Sequence, residues 1–106
     1  MNRKRKSISS WRVHPGEILR EEFLGPMGLS AHELGKEIHV PASRVNDIVL
    51  EKRGVTADTA VRFAKFFGTS EQFWMNLQTA YEIRSARQKL SQTLNRIQTR
   101  RAKRAA

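Results

Sequence analysis

The sequence predicts an all-α domain of five short helices carried between two basic arms. Three observations predict it. Apolar residues recur at three- and four-residue spacing in five separate segments. Each segment opens at a proline, serine or threonine that suits a helix start. Nowhere do apolar and polar residues alternate as a strand requires, and no internal repeat is present.

The first helix is expected from Pro15 to Leu24. Pro15 fits a first turn, Glu17 favours the positive end of the helix dipole, and Ile18, Leu19 and Phe23 form an inward stripe. Gly25, Pro26 and Gly28 are expected to stop it. The second begins at Ser30, where Ser30-Ala31-His32-Glu33 reads as a capping box; Leu34 and Ile38 share one face. The third starts around Pro41, carries Val45, Ile48 and Val49 inward, and ends at Lys52-Arg53-Gly54. Thr56 caps the fourth, whose Ala57, Ala60, Val61, Ala64 and Phe67 repeat at helical spacing until Gly68 closes it. Thr69 or Ser70 caps the fifth, which carries Phe73, Trp74, Leu77, Ala80 and Tyr81. Beyond Ile83 the apolar positions thin to Leu90, Leu94 and Ile97, so that stretch is expected to fray unless docked.

Composition excludes several classes. The 106 residues give one core's worth of chain. Without cysteine there is no disulfide, thiolate catalysis or cysteine-held zinc. No apolar run reaches 18 residues, and MNRKRKSISS lacks the apolar stretch of a secretory signal, so a cytoplasmic protein with no membrane partner is expected. No catalytic residue set, metal site or cofactor is read: glycine-rich phosphate loops and paired acid/base groups are missing. Lys and Arg exceed Asp and Glu by 20 to 10, which favours a polyanionic partner. The excess sits in the arms. Residues 1–14 hold five bases and 83–106 hold eight, neither with an acid, whereas 15–82 hold seven bases against ten acids.

Ala31 to Leu50 carries the functional signal. A helix-turn-helix needs a small residue where its helices cross, and Gly35 stands there. Four positions later the turn needs left-handed backbone angles; His39 stands where glycine is usual, and histidine is among the residues that tolerate them. Six and nine positions further, Val45 and Ile48 seat the second helix on the first. With HPGEILREEFLGPMGLS before it, and KRGVTADTAVRFAKFFGTS and EQFWMNLQTAYEI after it, residues 14–83 resemble the HigA-type antitoxins of bacterial host-inhibition-of-growth modules. These lie within the lambda-repressor-like, XRE helix-turn-helix superfamily. The helix-turn-helix itself specifies only the superfamily; the KRG–TAD and FWMNLQ stretches point to the antitoxin branch.

The resemblance implies a homodimer that binds double-stranded operator DNA, represses its own operon and neutralises a cognate toxin. That toxin would be a basic, ribosome-dependent, RelE-like mRNA interferase. A stand-alone XRE-family regulator without a toxin is the rival, separated only by the FWMNLQ region. On the expected recognition helix Ala42, Ser43, Arg44, Asn46 and Asp47 face away from Val45 and Ile48. Arginine can pair with guanine O6 and N7, and asparagine with adenine; Asp47 either accepts from cytosine N4 or orients Arg44. Lys52 and Arg53 are placed for phosphate, as are the amides of Ser30, Ala31 and His32 at the start of the second helix.

Three domains are expected: a flexible basic arm over 1–13, a helix-turn-helix domain over 14–83 ending in a dimerisation helix, and a basic tail over 84–106. The tail is either a helical extension or disordered. Phe73, Trp74, Leu77 and Tyr81, extended by Met75, span more of the last helix than one core face needs. They are read as a dimer surface, with a plain core role as the alternative. His14, His32 and His39 lack a metal-ligand spacing and are assigned to solvent or turns. Glu17, Glu21, Glu22 and Glu33 cap and solvate the first helices, and a basic toxin offers them a second role. An RNA-binding protein would account for the arms but calls for aromatic stacking platforms that the sequence lacks.

Overall fold

Helix starts in this chain are set mostly by side-chain caps, and several helix ends by residues in the left-handed region. The computed structural model describes residues 13–102. The expected flexible arm lies, apart from Val13, outside the described residues, as do residues 103–106.

Helix α1 covers residues 15–27 in three continuous stretches: α-helical Pro15–Ile18, π-helical Leu19–Leu24 and α-helical Gly25–Met27. It therefore runs past Leu24, where Gly25 and Pro26 were expected to end it. An interior proline lacks a donor and crowds the carbonyl of the preceding turn. Here the wide π turn precedes it, with the Gly25 N–H donating five residues back to the Arg20 carbonyl. Gly28, at φ 61°, ends the helix, its N–H bonding to the Gly25 carbonyl and that of Leu29 to the Leu24 carbonyl.

His14 caps α1. Its Nδ1 accepts from the Gly16 N–H at 2.8 Å, and its buried ring meets Tyr81 edge-on with centroids 4.7 Å apart. The assignment of His14 to solvent or a turn is thus corrected. Burial, and secondarily the Arg20 charge, lower its pKa below the ordinary 6.5, against the opposing pull of Glu51 and Glu17. Below pH 6.5 the unfolded chain therefore takes up a proton more readily than the folded chain, so stability falls on acidification from that value. Thermal melts from pH 7 to 5 are expected to show this loss. His14→Asn, which keeps an acceptor but does not titrate, should flatten it; an unchanged pH slope would contradict the cap.

Helix α2 (Ala31–Ile38) has the expected capping box: Ser30 Oγ accepts from the Glu33 N–H at 3.0 Å and Glu33 Oε1 from the Ser30 N–H at 2.8 Å. The Ser30 N–H, and secondarily the Ser30 hydroxyl, lower the Glu33 pKa by hydrogen bonding to its carboxylate. Helix α3 (Ala42–Val49) follows with Pro41 as its cap residue. Thr56 caps α4 (Ala57–Phe67), Gly68 ends it at φ 75°, and Ser70 caps α5 (Glu71–Lys89). A short sixth helix, α6 (Ser91–Leu94), adds to the five expected. Helix α5 continues beyond Ile83, where fraying was expected, because Glu82, Arg84, Ala86, Arg87 and Gln88 are all good helix formers.

Helix α2 packs on α3 and α4 on α5, with α1 against both α3 and α5. Trp74, Phe63, Ile18, Leu19, Leu34, Ile48 and Val45 are fully buried between them. The inward stripe of α4 is Ala60, Phe63 and Ala64; Ala57 and Val61 of the expected stripe face solvent, Val61 at 51% exposure. Phe63 claims the core because it reaches Trp74, with ring centroids 4.9 Å apart.

Candidate nucleic-acid interface

The two helices α2 and α3 are joined by His39, Val40 and Pro41. His39 takes the left-handed angles the turn needs, φ 61° and ψ 47°. Gly35 lets the chain fold back on itself: a Cβ there would lie 2.9 Å from the Val40 carbonyl oxygen and 3.2 Å from Ala42 Cα. The Val40 N–H donates to the Gly35 carbonyl at 3.0 Å, which closes the turn. Val45 and Ile48 are wholly buried, so the back of α3 is committed to the core.

Its front is open. Ser43 and Asn46 are exposed, and Ala42, Arg44 and Asp47 are partly so. Pro41 supplies no side-chain cap, so the leading turn of α3 carries no carboxylate or hydroxyl acceptor from that residue. The Arg44 side chain keeps 34% exposure and pairs with Asp58 Oδ1 at 3.7 Å. Its carboxylate partner is therefore Asp58 of α4, not Asp47. Lys52 and Arg53 are exposed just past α3, and Arg53 lines a shallow cleft with Arg44, Gly54, Thr56, Asp58 and Thr59. At the start of α2 the capping box occupies the Ser30 amide and hydroxyl, leaving the Ala31 and His32 amides for an outside acceptor.

Three residues that sequence reasoning passed over hold this face in place. Arg20 of α1 donates to the Val49 carbonyl at 2.6 Å and pairs with Glu51 at 3.5 Å, which secures the end of α3. Arg62 of α4 donates to the Ile38 and His39 carbonyls at 2.7 and 3.3 Å, which secures the turn before α3. Gln78 of α5 accepts from the Val55 N–H at 2.7 Å and donates to Glu82 at 2.8 Å, which clasps the loop carrying Lys52 and Arg53. The Asp58–Arg62 and Gln78–Glu82 pairs left a sequence signal, their four-residue spacing. The contacts to Val49, Glu51, Ile38, His39 and Val55 span 23 to 31 residues, beyond any local pattern.

The expected dimer residues are placed differently. Trp74 is fully buried and Leu77 is 8% exposed, so both belong to the chain's own core, which corrects their assignment. Phe73 and Tyr81 are half-buried, against Trp74 and His14 respectively. The exposed apolar side chains further along are Ile83, Leu90, Leu94 and Ile97. Ala80, Ile83, Arg84, Arg87, Gln88 and Ser91 line a groove there. Among the described residues, no His, Cys, Asp and Glu cluster suits a metal ion, and no helix is long and apolar enough to cross a membrane.

Comparison with known proteins agrees with this geometry. Residues 19–74 match the helix-turn-helix family model. Virulence-associated protein I of Dichelobacter nodosus is 60% identical over 72% of this chain and 70% of its own. The structure of Pseudomonas aeruginosa antitoxin HigA with the higBA promoter is 43% identical, at a TM-score of 0.80 over 83% of this chain and 96% of that one. Antitoxin GraA in complex with its operator is 37% identical, at a TM-score of 0.80 over 96% of this chain and 98% of that one.

Proposed function

The chain belongs to the helix-turn-helix family, and on that premise we propose that it is a DNA-binding antitoxin. In this reading it represses its own operon and neutralises a cognate, RelE-like mRNA-cleaving toxin. One observation carries the DNA part: α3 is buried along Val45 and Ile48, secured at both ends, and open along Ser43 and Asn46. Such a helix can enter a major groove without reorganising the fold. The similarity to antitoxins solved with a promoter and with an operator supports the same reading.

Arg44 reads guanine, Asn46 reads adenine, and Ala42, Ser43 and Asp47 complete the base-facing surface. Lys52, Arg53 and the start of α2, through the Ala31 and His32 amides and not the capped Ser30, meet phosphates. Arg44→Ala is expected to cost about 1–3 kcal/mol on operator DNA and to relax preference at one base pair. Lys52→Ala should weaken operator and random DNA alike and flatten the salt dependence. Fluorescence anisotropy with both DNAs across a salt series checks this; equal losses on both for Arg44→Ala would overturn the assignment.

One such module has a small footprint, so two copies bind related half-sites. The pairing surface lies within residues 70–90, and the open groove at Ala80 and Ile83 supports that placement. Sedimentation should give a dimer at micromolar concentration. The toxin is tested by co-purification from the native host: recovery of a small basic ribonuclease supports the antitoxin reading, and its absence leaves a stand-alone regulator.

A further inference from the structure

We infer that Asp58 is a positioning residue that sets the sequence selectivity of Arg44. The inference rests on the reading of α3 as the DNA-contacting helix and extends it to a residue of α4. Asp58 Oδ1 lies 2.7 Å from Arg62 Nε and 3.7 Å from Arg44 Nη1, so one carboxylate oxygen serves two guanidinium groups. The shorter contact fixes the carboxylate, and Arg62 is itself held, its Nη1 donating to the Ile38 and His39 carbonyls. The chain of contacts thus runs from the turn of the helix-turn-helix, through Arg62 and Asp58, to the side chain expected to read a base. The Arg62 bond keeps Asp58 ionised, holding its pKa below the usual carboxylate range.

The 3.7 Å separation defines what Asp58 does to Arg44. It is an ion pair beyond hydrogen-bonding distance, so it biases the guanidinium while leaving its donors for a base. An arginine without that bias would reach the nearest phosphates as readily as a guanine edge, and phosphates carry no sequence information. The fixed negative charge of Asp58 also opposes close approach of the backbone to the Arg44–Arg53 cleft. The repulsion weakens matched and random DNA alike, whereas the bias on Arg44 lowers affinity for random DNA more than for a matched site. Specificity then arises by penalising the wrong complex.

The test compares binding of the full chain to operator and random duplexes for Asp58→Asn, Asp58→Glu, Arg44→Ala and Arg44→Ala/Asp58→Asn. Asparagine keeps an acceptor for Arg62 but drops the charge, and thermal melts check that the variant remains folded. Asp58→Asn is expected to raise affinity for random DNA and to lower the operator-to-random ratio by roughly two- to fivefold, the scale of an exposed ion pair. Asp58→Glu should retain most of the ratio. In the Arg44→Ala background, Asp58→Asn should move both DNAs equally. An unchanged ratio for Asp58→Asn, or the same drop without Arg44, overturns the inference. Equal losses on both duplexes for Arg44→Ala alone would instead overturn the underlying assignment of Arg44.

Discussion

Gly16→Ala is expected to leave little folded protein at 25 °C. Gly16 sits in the first turn of α1, and a Cβ there would collide with the Ile48 carbonyl oxygen and stand 3.0 Å from His14 Nδ1. The obstacle is backbone at the end of α3, with no flexible side-chain tip to move aside. Ordinary overpacking costs about 1–3 kcal/mol because side chains shift. Here a whole helix must back away, which would part Ile18 and Leu19 from the core they share with Val45 and Ile48. The loss should approach the roughly 5–15 kcal/mol that a domain of this kind has in total. Circular dichroism and thermal melting check it. A cooperative transition within a few degrees of the wild type would mean that α1 and α3 do not approach this closely.

Trp74→Ala is expected to destabilise the chain by about 3–5 kcal/mol, the range for removing a large buried aromatic. The indole is fully buried among Phe23, Phe63, Phe67 and Phe73, with centroids 4.9 to 6.0 Å away. Its Nε1 donates to Thr69 Oγ1 at 2.8 Å, so truncation removes that bond as well as leaving a cavity. Urea denaturation measures the loss. Sedimentation of the variant, under conditions where it stays folded, should show unchanged subunit association. Weakened association with unaltered folding stability would return Trp74 to an interface.

Local chemistry made much of the architecture readable. Ser30 with Glu33, Thr56, Ser70 and Gly68 bound their helices through contacts made within a few residues, which a sequence displays directly. The Gly35, His39, Val45 and Ile48 spacing did the same for the helix-turn-helix. Pro26 misled because its usual effect depends on the turn before it, and that turn is π-helical. The last helix misled for another reason. Phe73, Trp74, Leu77, Ala80 and Tyr81 cover more than one face, so periodicity leaves open which side meets the core. The distant partners of Arg20, Arg62 and Gln78 are fixed only once the helices pack, and with them the bracing of the candidate interface. The Arg44–Asp58 pair belongs with these, since it joins two helices across the loop from Leu50 to Thr56.

The proposed entry of α3 into the major groove can be tested directly by dimethyl sulfate footprinting on the DNA upstream of the chain's own gene. Guanine N7 should be protected in two half-sites about one helical turn apart. Arg44→Ala should remove protection at one guanine in each half-site while the others persist. Protection confined to adenine N3 in the minor groove, or a guanine pattern indifferent to substitution along α3, would contradict the account.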